Sequence, residues 1–401
     1  MRKKIIVLLT ILSLIVPMFT NANTTHSSRV CSVAKKQGLA SCNAHVLTDA
    51  KGNPLVSKSP SGFAPKDLRN AYSLSGRAPY QTVLGRASGN PIVAIVDAYD
   101  DPTIKNDLDV YSKQFDLTIL PNCKTSALQS TTPCFQKINQ RGTSAVPKAN
   151  GGWALEIALD VEAVHAVCEN CSILLVEATS PNMKNLLTSV DTATKAGAAA
   201  ISNSYGGPEF SEETAFDSHF KHLGIAYTVS SGDSGYGVEY PAASPYVTAV
   251  GGTSLYLKSG KYQNEDAWSG AGSGCSQFEP KPSWQTDNSC AGRTVADVSA
   301  VADPATGVAI YTTTSPKGQK GWFTAGGTSL AAPLVAAVYA LGNIPNNQQT
   351  NSLPYIWGSK SNLHDVVGGS NGDCSPSYLC TGKTKYDGPT GLGSPKGTGA
   401  F

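Results

Sequence analysis

The stretch Ala154-Leu155-Glu156-Ile157-Ala158-Leu159-Asp160-Val161-Glu162-Ala163-Val164-His165-Ala166-Val167, followed by Ile173-Leu174-Leu175-Val176, decides the fold. Its first part, free of Gly and Pro and apolar at helical spacing, predicts a helix; the short apolar run after it predicts a buried strand. The alternation continues outward. Upstream, Ile92 to Val96 reads as a strand and Ile104 to Phe115 as a helix. Downstream, Met183 to Ala196 reads as a helix, Ala200 to Ser204 as a strand, Ala215 to Leu223 as a helix and Ala226 to Ser230 as a strand. Strands and helices in alternation imply a parallel sheet covered on both faces. The expected fold class is therefore α/β, one large doubly wound domain with a mainly parallel sheet. After Gly251 the chain is richer in Gly, Ser and Pro, with one more clear helix from Ser329 to Leu341 and an irregular tail to Phe401.

A chain of 401 residues has ample length for a large core. With 31 basic and 29 acidic residues the formal charge is +2, so no electrostatic footprint for nucleic acid or another polyanion is present. Arg2, Lys3 and Lys4, the apolar run Ile5 to Phe19 and the small-residue site ending at Ala22 read as a signal peptide over residues 1–22. The run is short for a bilayer and contains Pro17, which argues against a membrane anchor. A secreted or extracytoplasmic protein, free of the membrane after cleavage near Ala22, is expected.

All ten cysteines follow that site and fall into neighbouring pairs: Cys31 with Cys42, Cys123 with Cys134, Cys168 with Cys171, Cys275 with Cys290, Cys374 with Cys380. Export favours oxidised pairs, and short loops close most easily. Cys168 and Cys171 have the spacing of a redox or zinc motif, but no second such pair or histidine cluster accompanies them. Residues 23–62 are polar with little periodicity and read as an N-terminal extension or short propeptide.

Glu156 and Asp160 lie about 40° apart on the helical wheel, inside the apolar stripe, while Glu162, His165 and Glu169 mark a more polar opposite face. Acids four residues apart commonly sit on a solvated face. Two carboxyls facing the interior must instead be hydrogen-bonded or share a proton, which suits acid–base work. Gly326-Gly327-Thr328-Ser329-Leu330-Ala331-Ala332-Pro333 sets glycines before a hydroxyl and a helix after it. Ser329 can be an ordinary cap residue, or a nucleophile whose developing charge faces the positive helix end. Ser230-Ser231-Gly232-Asp233-Ser234-Gly235 and Ile201-Ser202-Asn203-Ser204-Tyr205-Gly206-Gly207 bring polar turns to the carboxyl ends of two strands, where open sheets bind ligands.

Glu156, Asp160, Asp233 in SSGDSG and Ser329 in GGTSLAAP, in that chain order, resemble the sedolisins, the serine-carboxyl peptidases with a subtilisin-like fold. The resemblance runs from about Phe63, where APKDLRNAY looks like the start of the catalytic domain, to Thr390-Gly391-Leu392-Gly393-Ser394-Pro395. It implies a peptidase domain over residues 63–401, a monomer acting on polypeptides. Ser329 would be the nucleophile, Glu156 its general base, Asp160 the residue that orients Glu156 and Asp233 the oxyanion partner. A carboxylate base stays ionised at mildly low pH and a protonated Asp233 can donate a hydrogen bond there, so acyl-enzyme hydrolysis in acid is expected. The resemblance also implies a Ca2+ site built from Asp365, Val366 and Asp387 with carbonyls of Lys383 and Lys385; the family's Gly-x-Gly-x-Asp is here Lys383-Thr384-Lys385-Tyr386-Asp387. Asp365 and Asp387 could instead simply cap loops.

Two other readings compete. Ile95-Val96-Asp97 ends a strand as a subtilisin-like aspartate does, but no histidine is followed by the Gly that family keeps. Asp97 then supports a loop with Asp100 and Asp101. An inactive secreted binding protein on the same fold is the alternative from a different class.

Overall fold

The computed structural model describes residues 26–76, 90–124, 126, 127, 130, 132–342 and 353–401. The signal peptide expected over 1–22 lies outside them. No helix among the described residues is long and apolar enough to cross a membrane.

Strand Ile92–Ala98 is buried along its whole length, because its side chains alternate between two cores. Val93 and Ile95 join the cluster containing Leu155, Ile157 and Val335, whereas Ile92, Ala94 and Val96 join Leu186, Leu187 and Val190 on the other side. Strands Ser172–Ala178 and Ala200–Asn203 flank it, both parallel to it. Phe135–Asn139 extends the sheet beyond the first, and Ala226–Ser230 and then Thr248–Lys258 beyond the second, all parallel. At the far edge Thr248–Lys258 pairs with Val298–Val301 in parallel and with Lys261–Ala267 in an antiparallel hairpin. The hairpin turns on Ser259 and Gly260, both at positive φ as a tight two-residue turn requires.

Helices Gly151–Val167 and Thr328–Leu341 pack on one face, and Met183–Lys195 covers the other. This is the doubly wound α/β arrangement that the alternation predicts. The first helix begins a turn earlier than its apolar pattern suggests, because the Asn150 side chain caps it by accepting from Gly152 and Trp153 N–H. The polar face expected opposite Glu156 is buried as well. Glu162 and His165 are both fully buried; Glu162 accepts from Tyr311 N–H at 2.9 Å and His165 Nε2 lies 2.9 Å from Thr118 O. Helices Pro65–Ala71 and Ile104–Gln114 and strand Val308–Thr312 cover that face, a tertiary fact that no wheel contains. The pattern at Ala215 to Leu223 is a 3-10 helix, Glu213–Phe220.

All five expected disulfides form: Cys31–Cys42, Cys123–Cys134, Cys168–Cys171, Cys275–Cys290 and Cys374–Cys380. The polar N-terminal segment, read as an extension or short propeptide, forms strands that its aperiodic sequence does not announce. Strand Ser41–Cys42 pairs antiparallel with Tyr205–Pro208, and His45–Thr48 pairs with both His26–Arg29 and Gly321–Gly326. It is extended and paired edge to edge, so few of its side chains needed an apolar period.

Candidate active site

Strands Ile92–Ala98, Ala200–Asn203 and Ala226–Ser230 end side by side, and the site is built on their carboxyl ends. They deliver Asp97, Ser204 and Ser230, all fully buried. Helix Thr328–Leu341 starts just above. Its cap Gly327 has φ +100, and a Cβ there would strike Asn43 O and come within 2.6 Å of Asp233 Oδ2, so only glycine fits. Ser329 therefore lies in the first helical turn, where backbone N–H groups lack intrahelical acceptors. Thr328 N–H donates to Asp233 Oδ1 at 2.8 Å and Ser329 N–H to Asn43 O at 3.1 Å.

Pro333 explains how the serine is held. It has no N–H for the carbonyl four residues back, which is that of Ser329. Ser204 Oγ fills the vacancy by donating to Ser329 O at 3.3 Å, while Ser329 Oγ donates to Ser204 O at 3.1 Å. The two serines are thus bound reciprocally across the sheet edge.

Glu156 and Asp160 face this point and are fully buried. Burial pushes the Glu156 carboxyl well above its ordinary pKa, repulsion from Asp160 and Asp97 adds to this, and the neighbouring Ser329 hydroxyl pulls it back. Burial raises Asp160 too, against the pull of the Ser204 hydroxyl and Glu156. Neither carboxyl closes a full hydrogen bond, so the hydroxyl-to-Glu156 contact is looser than the serine pair above. Asp97 belongs to the same set: burial raises it first, then Asp160 and Glu177. The expectation that Asp97 supports a loop with Asp100 and Asp101 is corrected, since it sits inside the sheet against the acid pair. The signal available was its place at the carboxyl end of an apolar strand.

Asp233 shares one oxygen with Thr328, whose Oγ1 lies 2.6 Å away, and leaves Oδ2 without a hydrogen bond. Burial raises its pKa to about 7, against the pull of Arg29 and Thr328. Oδ2 is 3.5 Å from His45 Nε2. His45 itself is neutral above about pH 4, because burial and then Arg29 disfavour its charge. The histidine that the fold brings to the site thus meets Asp233, an arrangement unlike a Ser/His/Asp triad, in which the ring accepts the hydroxyl proton.

The C-terminal acids also come together. Asp365 accepts from Lys385 N–H through both oxygens, at 3.0 and 2.9 Å. Asp387 accepts from Lys383 N–H at 2.8 Å and from Thr390 N–H at 2.9 Å. Lys385 has φ +72, so it keeps the left-handed backbone that a glycine would favour, and the Lys383 ammonium turns aside to Ser377 Oγ at 2.6 Å. Both acids thus cap backbone N–H groups of their own loop, and no cluster of three or more His, Cys, Asp or Glu side chains that could hold a metal stands among the described residues.

The Subtilase family model matches residues 142–352, just over half of the chain. Kumamolisin of Bacillus sp. (strain MN-32) is 27% identical over 377 residues, which cover 85% of this chain and 63% of that protein. Sedolisin of Pseudomonas sp. (strain 101) is 36% identical over 206 residues, covering 43% of this chain and 33% of that protein. The chain thus spans less than two thirds of the length of these relatives. Among solved structures, Pseudomonas sedolisin, a serine-carboxyl proteinase complexed with pseudo-iodotyrostatin, aligns with TM-score 0.68 at 27% identity, over 84% of this chain and 96% of that one.

Proposed function

We propose that this chain, which belongs to the subtilase family and has the fold of the sedolisins, is a serine-carboxyl endopeptidase working through an acyl-enzyme in acid. The observation that carries this reading is the pair of buried carboxyls, Glu156 and Asp160, beside the hydroxyl of a serine in the first turn of a helix. Ser329 Oγ attacks the peptide carbonyl and Glu156 takes its proton. Glu156 does this as a carboxylate, the form that the pull of the Ser329 hydroxyl favours against burial, while Asp160, bracketed by Ser204 and Asp97, holds the proton that the crowded acids share and orients Glu156. Asp233, protonated below about pH 7, donates from its free Oδ2 to the oxyanion, together with Ser329 N–H.

Calcium would be held by the carboxylates of Asp365 and Asp387 and by carbonyls of Val366, Lys383 and Lys385. Bound there, it would screen the two acids and fix the loop that carries strand Ser394–Pro395, without entering the chemistry. Polypeptide substrates, a monomeric state and secretion after cleavage near Ala22 complete the proposal. Peptide cleavage by purified protein between pH 3 and 8, with Ser329→Ala and Glu156→Gln, tests it. The expected result is activity in acid that either substitution lowers at least about 10²-fold. Activity near neutral pH that survives Glu156→Gln would overturn it.

A further inference from the structure

The N-terminal segment lies across Ser329 in the manner of a substrate. Before residue 43, Ser41 and Cys42 pair antiparallel with Gly206 and Tyr205, and Asn43 N–H donates to Ser204 O at 3.3 Å. At residue 43, the carbonyl oxygen accepts Ser329 N–H at 3.1 Å and shares with Asp233 Oδ2 the space that a Gly327 side chain would need. After residue 43, His45 and Val46 pair with Gly326 and Ala325 on the strand leading into the serine helix. A strand held on both sides, with one carbonyl on the nucleophile's own N–H, is the arrangement acyl transfer needs.

The Asn43 side chain is also read. Its amide nitrogen donates to Ser230 Oγ at 3.1 Å and to Glu239 Oε2 at 3.4 Å, and its oxygen accepts from Arg29 Nη1 at 3.3 Å. Glu239 lies against Gly206 and Gly232, where any larger residue would fill the pocket. An amide N–H2 satisfies both acceptors. An aspartate would set a carboxylate oxygen against the Glu239 carboxylate, while the Ser230 hydroxyl would have to turn and donate.

We infer that Asn43–Ala44 is the bond this enzyme presents to its own serine, and that Ser230 and Glu239 select asparagine before the cleaved bond. The inference rests on the peptidase reading. Ser329 Oγ forms an ester with the Asn43 carbonyl carbon as the bond to Ala44 nitrogen breaks, and the serine proton passes through Glu156 to that nitrogen. Water then hydrolyses the ester, returning one proton to Ser329 and leaving an Asn43 carboxyl group. Strand His26–Arg29 still pairs with His45–Thr48 afterwards, and Val30 N–H still bonds Ala44 O, so the cut peptide stays in the cleft until those pairings open. The Cys31–Cys42 bridge ties the residue next to Asn43 back to the start of the segment, which favours that retention.

The test is the mass, under denaturing conditions, of the full chain expressed as wild type, Ser329→Ala and Asn43→Asp, beside trans cleavage of peptides differing only in Asn, Asp or Leu before the bond. We expect a new N-terminus at Ala44 in the wild type, none in Ser329→Ala, at least tenfold slower appearance in Asn43→Asp, and kcat/KM at least tenfold higher for the Asn peptide than for the Asp peptide. Wild type that cleaves peptides but keeps residues 43 and 44 joined overturns this inference and leaves the peptidase reading intact. Equal rates for Asn and Asp peptides overturn the pocket assignment. Wild type inert in both assays overturns the peptidase reading itself.

Discussion

Asp233→Asn isolates the proton on which the oxyanion partner depends. The substitution is isosteric: one oxygen can still accept from Thr328 N–H and Oγ1, while an NH2 replaces the free Oδ2. An aspartic acid whose pKa burial has raised to about 7 is ~99% protonated at pH 5 and ~10% at pH 8. Wild type should therefore lose about tenfold in kcat/KM over that interval through this group alone, whereas the asparagine donates at every pH. We expect Asp233→Asn to lie within about tenfold of wild type at pH 5, and the ratio of variant to wild type to rise about tenfold by pH 8. Asp233→Ala, which removes the donor, should cost about 10² to 10³ at pH 5. The assay is kcat/KM on one peptide from pH 4 to 8.5, after the N-terminal segment has been released. A ratio that stays constant across pH, or full activity of Asp233→Ala at pH 5, would refute the reasoning.

Three further outcomes follow from other parts of the molecule. Ser204→Ala strands the Ser329 carbonyl that Pro333 leaves without a helical donor, and should lower unfolding stability by about 1–3 kcal/mol in urea titration; no loss would mean that the carbonyl finds another partner. Arg293, fully buried, pairs with Asp297 at 2.5 Å, and Asp297 also accepts from Ala249 N–H at 2.8 Å. Asp297→Ala should therefore destabilise by about 3–5 kcal/mol by leaving a buried guanidinium uncompensated, and a Tm within a degree of wild type would contradict this. Burial raises Glu213 to about 8 and Glu177 to about 9, so above pH 7 the native state keeps protons that the unfolded chain has lost. His45, His165 and His364, lowered by burial to about 4, are neutral in both states there. Stability must then fall as pH climbs from 7 to 9, by up to ~1.4 kcal/mol per pH unit for each such acid, and a Tm that rises over this range would refute the assignment.

Much of the architecture is legible because it is local. Strand Ile92–Ala98 announces itself as a short, continuous apolar run and helix Met183–Lys195 through period 3.6, and the disulfides join cysteines no more than 15 residues apart. Glu156 and Asp160 stand out because acids interrupt an apolar stripe. Asp97 escaped because a single acid at a strand end reads equally well as a turn residue; only the packing of Gly151–Val167 over that strand brings Asp160 to it. Glu162 and His165 misled for the opposite reason, since the helices that bury them come from earlier in the chain.

The amino-acid order alone determined the α/β alternation, the cysteine pairing and the four residues proposed for catalysis, because each leaves a mark within a few positions of itself. Tertiary structure alone decided what occupies the cleft. Asn43 is an ordinary polar residue in an aperiodic segment, and its meaning comes from Ser204, Ser230, Glu239 and Ser329, all more than 150 positions away. A strand added edge to edge is held through its backbone, which every residue shares, so its sequence need carry no pattern that reveals the docking.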